Sequence, residues 1–317
     1  MKISAIDIGT NTLLMVIGEQ ISGNSNTVRI LHDIHSIARL GEGVDRTGII
    51  SETALERATA ILHQYSAICQ NEGVERIEAV ATSAVRDAVN GKEVCNKLSS
   101  VLKYTVRIIS GEEESYYSFT GTDESLNKKT IIDIGGGSTE YVTGINKTIQ
   151  QRKSLQIGAV RLHERYLKAL PPSQIAIETA RMEIRNQLSL LPQTKTLRDG
   201  SDDTIGEIIG VGGTFTTLAA IDLGLMDFDS TKVHNHTINA QTVSKITHYL
   251  LSNSLASLLE NPAIHPQRAD ILPAGALILD ETLEFFNAIK CKASTKGLRY
   301  GVLYDAFGRS HSPDTKS

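Results

Sequence analysis

Two related α/β domains are the fold class that the sequence predicts, and three observations carry the prediction. Two segments share one layout, an apolar run ending in Ile-Asp-Ile-Gly, a few hydroxyl or glycine residues and a second apolar run. They lie at Ile3 to Ile17 and Ile131 to Val142, with Asp7 and Asp133 offset by 126 positions. Behind each copy, β-branched runs alternate with runs of helical periodicity, the order expected of α/β domains. With 317 residues, 40% of them apolar, the chain has material for two cores.

Each shared segment reads as strand, tight loop and strand, because β-branched runs flank residues that tolerate positive φ. After the first copy, Thr27 to Arg39 reads as a further strand. Ser51 to Gln70 then reads as a helix with Leu55, Ala58, Leu62, Tyr65 and Cys69 on one face and Ser51 as N-cap. A strand at Arg76 to Ala81, a helix at Gly91 to Leu102, a strand at Val106 to Ser110 and a helix opening at Gly111 complete the first half. The second half repeats the order loosely: a strand at Thr148 to Ile157, a helix at Ser173 to Leu191, a strand at Glu207 to Val211, helices at Thr242 to Leu259 and Arg268 to Phe286, and a strand near Ala293. The polar stretch Thr122 to Lys129 is the expected crossing point. This divides the chain into domains over 1–124 and 125–308, the last helix being free to pack back on the first, and a flexible polar tail over 309–317.

A net charge of −4 argues against a DNA or RNA binder, so any polyanion must be held by locally placed groups. The three cysteines, Cys69, Cys95 and Cys291, have no C-x-x-C spacing and fit a reducing cytoplasm. The start of the chain resembles no signal peptide, and no stretch approaches the roughly 18 apolar residues of a membrane span.

The chemistry concentrates in the loops. A turn rich in Gly, Thr, Asn and Ser can aim several backbone N–H groups at one point and form an anion nest, as in Gly9, Thr10, Asn11 and Thr12, and again in Gly135, Gly136, Gly137 and Ser138. A third such loop, Gly210-Val211-Gly212-Gly213-Thr214, places Gly213 in the same group. The aspartates that open the first two loops, Asp7 and Asp133, repel phosphate directly but suit a hydrated Mg²⁺ or another divalent cation that meets it.

These stretches resemble the actin-like phosphotransferase superfamily, with two ribonuclease H-like domains of one ancestry facing a cleft. More narrowly, the chain is similar to the exopolyphosphatase and guanosine pentaphosphate phosphohydrolase family in its short, two-domain form. The matches are Ala5 to Thr12, Ala81 to Arg86, Ile109 to Glu114, Asp133 to Glu140 and Gly297 to Tyr304, in family order, with Thr10 and Thr12 where the family usually has serines. The resemblance implies exopolyphosphatase activity, metal-dependent removal of terminal phosphate from linear polyphosphate. The alternatives are guanosine pentaphosphate 5′-phosphohydrolase and an actin-like ATPase or phosphate-chain sensor. No Trp, and no Phe beside the loops except Phe215, mildly favours polyphosphate over a nucleotide.

Hydrolysis of a phosphoanhydride needs an oriented water, a group to deprotonate it and positive charge on the transferred phosphoryl group. Glu112, Glu113 and Glu114 open a helix directly after a strand, and Glu114 aligns with the family's catalytic glutamate. Arg86 is the chosen cation because a guanidinium is permanently charged and binds phosphate through two donors. Glu140 is implied as a further metal or water-positioning group. Arg39, Arg161 and Arg299 are candidates to extend the basic lining, whereas His234, His236 and His265 receive no role. Cleft enzymes of this kind are often dimers, and a homodimer is left open.

Overall fold

Both copies of the shared segment form β-hairpins in the computed structural model of the protein, which describes residues 1–21, 28–122, 127–191 and 205–309. The chain divides into two compact units. One is Met1–Gly121 together with the segment that starts at Gly297, and the other is Thr122–Lys296.

The first unit runs β1 (Lys2–Ile8), β2 (Thr12–Gln20), β3 (Val28–Ile37), α1 (Val44–Thr47), α2 (Glu52–Glu72), β4 (Arg76–Ala81), α3 (Ser83–Asp87), α4 (Gly91–Leu102), β5 (Val106–Ile108) and α5 (Gly111–Thr122). Its sheet has the order β3-β2-β1-β4-β5, with β2 antiparallel to its neighbours and β1, β4 and β5 parallel. The face of α2 expected from its periodicity is the one that is buried, and the Ser51 hydroxyl accepts the Ala54 N–H at 3.2 Å as the N-cap. Ile6, Ile8, Leu13 and Met15 pack with α2 and α4 in one core, while Ile3, Ala5, Val16 and Val80 lie in a second. Such burial of both faces explains the almost unbroken apolar run of β1.

The second unit runs β6 (Lys129–Ile134), β7 (Thr139–Ile145), β8 (Thr148–Leu155), α6 (Ala159–Tyr166), α7 (Gln174–Leu188), β9 (Glu207–Val211), α8 (Gly213–Asp222), α9 (Ser230–Val233), β10 (Thr237–Asn239), α10 (Ala240–Ser252), α11 (Leu255–Leu259), α12 (Leu272–Phe285) and β11 (Lys290–Ala293). Read from β8, its sheet is β8-β7-β6-β9-β11, the order and directions of the first sheet, with β10 added antiparallel at the edge. The repeat is therefore one of topology as well as of motif. α13 (Leu298–Arg309) follows β11 and packs on β1 and β2, which is why the segment from Gly297 belongs to the first unit.

Several boundaries differ from the sequence reading. The helix expected over Thr242 to Leu259 is two helices, because Ser254 caps a new start by accepting the Ser257 N–H at 3.2 Å. The helix expected from Arg268 begins at Leu272, with Pro273 in its first turn, where a missing N–H costs nothing. Pro266–Arg268 forms a separate 3₁₀ turn. Periodicity did not mark α6 or α8, whose helices start within or beside glycine loops. Residues 22–27, 123–126, 192–204 and 310–317, and with them Thr27, part of the expected crossing point and nearly all of the tail, lie outside the described residues. Among the described residues no helix is long and apolar enough to cross a membrane.

Candidate active site

In the first unit the parallel strands β1, β4 and β5 end in register, Ile8 beside Ala81 and Ala81 beside Ile108. The Gly9 loop, the start of α3 and the start of α5 therefore sit along one edge, at the carboxyl ends of the strands, where open α/β sheets bind ligands. The second unit does the same with β6, β9 and β11, lining up the Gly135 loop, Gly212-Gly213 and Ser294 to Lys296.

The two loops share one geometry. Gly9 N–H donates to the Thr12 carbonyl and Gly135 N–H to the Ser138 carbonyl, both at 3.0 Å. A Cβ on either glycine would stand 2.9 or 3.0 Å from that oxygen, too close for a side chain to be tolerated without a shift. Each loop has its carbonyls engaged from behind. Thr10 accepts Gly41 N–H, and Asn11 accepts those of Ala38 and Arg39; Gly135 accepts Ala159 N–H, and Gly136 accepts those of Val160 and Arg161. In a trans peptide the C=O and the following N–H point opposite ways. The N–H groups of Asn11 and Thr12, and of Gly136 and Gly137, are thereby turned to the other side, as an anion nest requires. The Thr10 hydroxyl shares a buried 2.8 Å hydrogen bond with Ser83 at the start of α3, tying the loop to the helix that carries Arg86.

The three glutamates that open α5 have three different surroundings. Glu112 is exposed. Glu113 closes a capping box: Ser110 N–H donates to Glu113 Oε2 at 3.0 Å, and Glu113 N–H donates to Ser110 Oγ at 3.2 Å. The backbone bond from Ser110 leads the influences that hold its carboxyl below the usual value, with the Ser110 hydroxyl and Arg107 adding to it. Glu114 is buried, 7% exposed, and its Oε2 takes a hydrogen bond from Arg86 Nη1 at 2.6 Å. The same Arg86 nitrogen donates to the Ile109 carbonyl at 3.0 Å, and Arg86 Nε lies 3.8 Å from Asp87. The local geometry thus brings Glu114 and Arg86 into direct contact.

In the second unit Asp133 and Glu140 are cross-strand partners of β6 and β7, on the same face with Cβ atoms about 5 Å apart. Glu140 is buried and accepts a 2.7 Å hydrogen bond from the Ser154 hydroxyl. At the third loop Gly212 adopts φ +91°, and a Cβ on Gly213 would fall inside the Arg268 guanidinium. Arg268, which sequence reasoning missed, therefore lies directly on that loop. Burial lowers its pKa below the ordinary value, but a guanidinium starts so far above neutrality that it stays charged.

The model of the Ppx/GppA phosphatase family matches residues 16–310. The chain belongs to the Ppx/GppA phosphatase family. It is 31% identical over 292 residues to exopolyphosphatase 2 of Mycobacterium tuberculosis, covering 88% of this chain and 89% of that protein. The crystal structure of the Aquifex aeolicus Ppx/GppA family member superposes with a TM-score of 0.80 at 28% identity, covering 99% of both chains. That of an exopolyphosphatase-like protein gives 0.90 at 28% identity, covering 98% of this chain and 99% of the other.

Ppx/GppA membership suggests dependence on a divalent cation, and the donor set can be tested against it. No group of three or more His, Cys, Asp or Glu gathers among the described residues, so a cage made of protein alone is not built here. Asp133 and Glu140 suit Mg²⁺, which keeps several waters and uses one or two carboxylates plus substrate phosphates. The first unit is poorer, since Asp7 has Leu14 at the position matching Glu140.

The remaining candidates separate clearly. Arg299 does not extend a basic lining in this Ppx/GppA chain: it is 4% exposed, and its Nε and Nη2 each donate to Asp33 at 2.8 Å. That fork ties α13 to β3, with Tyr300 donating to the same carboxylate at 2.8 Å. Burial alone would raise the Asp33 pKa, yet hydrogen bonding to His35 and the Arg299 charge outweigh it and hold the carboxyl far below the usual range. Arg39 and Arg161 lie beside the loops through their backbone N–H groups. His236 pairs with Asp222 at 2.7 Å, and His234 Nδ1 accepts the Thr295 N–H at 3.3 Å.

Proposed function

We propose that the protein is an exopolyphosphatase that releases terminal orthophosphate from linear inorganic polyphosphate with the help of Mg²⁺. The observation that carries this reading is the buried Glu114 held by Arg86 at 2.6 Å, beside a loop whose N–H groups are turned to receive phosphate. Glu114 is the base. It takes a proton from a water in line with the terminal phosphorus; the water oxygen bonds to phosphorus, and the bridging oxygen leaves with the shortened chain. Arg86 balances charge on the transferred phosphoryl oxygens, and the helix N-terminus at Gly111 favours the ionised carboxylate that a base needs.

In the first unit the N–H groups of Asn11 and Thr12 hold phosphate, with the Thr10 hydroxyl beside them; in the second unit those of Gly136 and Gly137 do so, with the Ser138 hydroxyl and the third loop at Gly213. Arg268 adds a cation at that third loop. Bound through Asp133 and Glu140 in the second unit, Mg²⁺ would supply neutralising charge to the phosphate oxygens, and Asp7 is the corresponding carboxylate at the end of β1 in the first unit. Phe215 is fully buried, its ring against Gly210, so it offers no face to a nucleotide base, which favours polyphosphate over guanosine pentaphosphate. The buried free thiols of Cys69, Cys95 and Cys291 suit a cytoplasmic setting. Orthophosphate release from polyphosphate of several lengths, guanosine pentaphosphate and ATP, compared with Mg²⁺ present, tests the proposal. A higher kcat/KM for polyphosphate is expected; preference for either nucleotide would overturn it.

A further inference from the structure

The two phosphate loops are oriented from behind by different devices. In the second unit the donors are the first N–H groups of α6, a helix whose terminal donors need partners in any case. In the first unit they belong to a strap with no regular structure, Ala38-Arg39-Leu40-Gly41-Glu42-Gly43. Arg39 is held there at φ 49°, a left-handed conformation that a side chain disfavours. Gly41 fits because a Cβ would run into Thr10 Cγ2. A strained, irregular strap needs a brace that a helix does not.

That brace is Arg57, on α2. Its Nε donates to the Ala38 carbonyl at 2.8 Å, and its Nη2 donates to the Arg39 carbonyl at 3.1 Å and to Glu42 Oε2 at 2.8 Å. The first two bonds land on the residues whose own N–H groups turn the Asn11 peptide. We propose that Arg57 is a positioning residue for phosphate binding, acting through the strap to aim the N–H groups of Asn11 and Thr12, while touching no substrate itself. The inference rests on the phosphohydrolase reading above. The ion pair with Glu42 is solvent-exposed and contributes little; the two carbonyl bonds carry the effect. Because such N–H groups hold phosphate in ground and transition states alike, their misalignment raises KM far more than it lowers kcat.

The test is steady-state hydrolysis of inorganic tripolyphosphate by the wild type and by Arg57→Ala, Arg57→Lys and the exposed control Arg46→Ala, with thermal melts to identify folded variants. Wild-type turnover establishes the underlying reading; its absence would sink that reading rather than this one. Arg57→Ala is expected to raise KM about tenfold, the loss of roughly one charge-assisted hydrogen bond, with kcat within about twofold. Arg57→Lys, whose single ammonium cannot reproduce the fork, should fall between. Tripolyphosphate affinity in a Glu114→Gln background, read by calorimetry, should weaken in parallel when Arg57→Ala is added. A wild-type KM in either Arg57 variant that folds, or a kcat loss equal to the KM change, would overturn the assignment.

Discussion

Glu114→Gln keeps the size of the side chain and one acceptor while deleting the charge that the proposed base requires. As the proposed water-activating group, Glu114 should carry the 10²–10⁴-fold contribution of a positioned general base, so turnover should fall by that factor, about 3–5.5 kcal/mol on the barrier. The structural cost can be weighed separately. Arg86 loses its 2.6 Å charge-assisted bond but keeps the Ile109 carbonyl at 3.0 Å and Asp87 at 3.8 Å. The pair is largely shielded, with side chains 22% and 9% exposed, so loss of that bond should cost about 2 kcal/mol of stability. A protein destabilised by that amount remains folded well below its melting temperature, where the two effects separate. The assay is orthophosphate release from polyphosphate at saturating Mg²⁺, beside a thermal melt and a binding measurement. Expected are a lower Tm, nearly unchanged substrate binding and turnover reduced at least 10²-fold. Turnover within tenfold of wild type, in protein shown to be folded, would refute Glu114 as the base.

Three further outcomes follow from other sites. Asp133→Asn and Glu140→Gln should each raise the Mg²⁺ concentration needed for half-maximal activity, read from an Mg²⁺ titration; an unchanged requirement in both removes the metal role of the β6–β7 pair. Glu113→Ala should lose about 1 kcal/mol of stability with its capping box and leave kcat intact. Its depressed carboxyl pKa gives stability that is present above the unfolded value near 4.3 and lost as pH falls through the folded one, so the mutant's deficit in a melt should shrink on acidification. Arg299→Ala should destabilise by about 3 kcal/mol, since it leaves the part-buried Asp33 without its forked partner, while kcat/KM at 25 °C changes little. A large kcat/KM loss without a fall in Tm would return Arg299 to the substrate-binding set.

What was legible in the sequence was what local chemistry dictates. Paired Asp-Ile-Gly hairpins, the amphipathic face of α2 and the Ser51 cap depend on neighbours a few residues away, and the structure has them as expected. Glu113 could also have been assigned locally, because Ser110-x-x-Glu113 is a capping-box spacing. What stayed hidden depends on tertiary approach. Nothing in sequence places Asp33 opposite Arg299, 266 positions away, and so Arg299 stands among the candidates for a basic lining. Arg268 reads as the first residue of a helix, yet it packs on a loop more than fifty positions earlier, and only the fit against Gly213 reveals it. The burial of Glu140 is equally invisible, because nothing local shows that Ser154 on the next strand holds its carboxylate.

The return of α13 to the first unit has a consequence for how the protein is made. Ile3, Ala5, Val16 and Val80 share a core with Leu298, Val302, Leu303 and Phe307, and α5 meets α13 where Gly301 runs against the Tyr117 carbonyl. On the ribosome, β1, β2 and β4 thus wait for α13, which follows the whole second unit, before one side of their sheet is covered. The second unit is continuous in the chain and meets no such delay, so the half synthesised later can finish folding earlier. Until α13 emerges, the nascent protein carries an uncovered apolar sheet face, the surface that chaperones engage and that aggregation exploits.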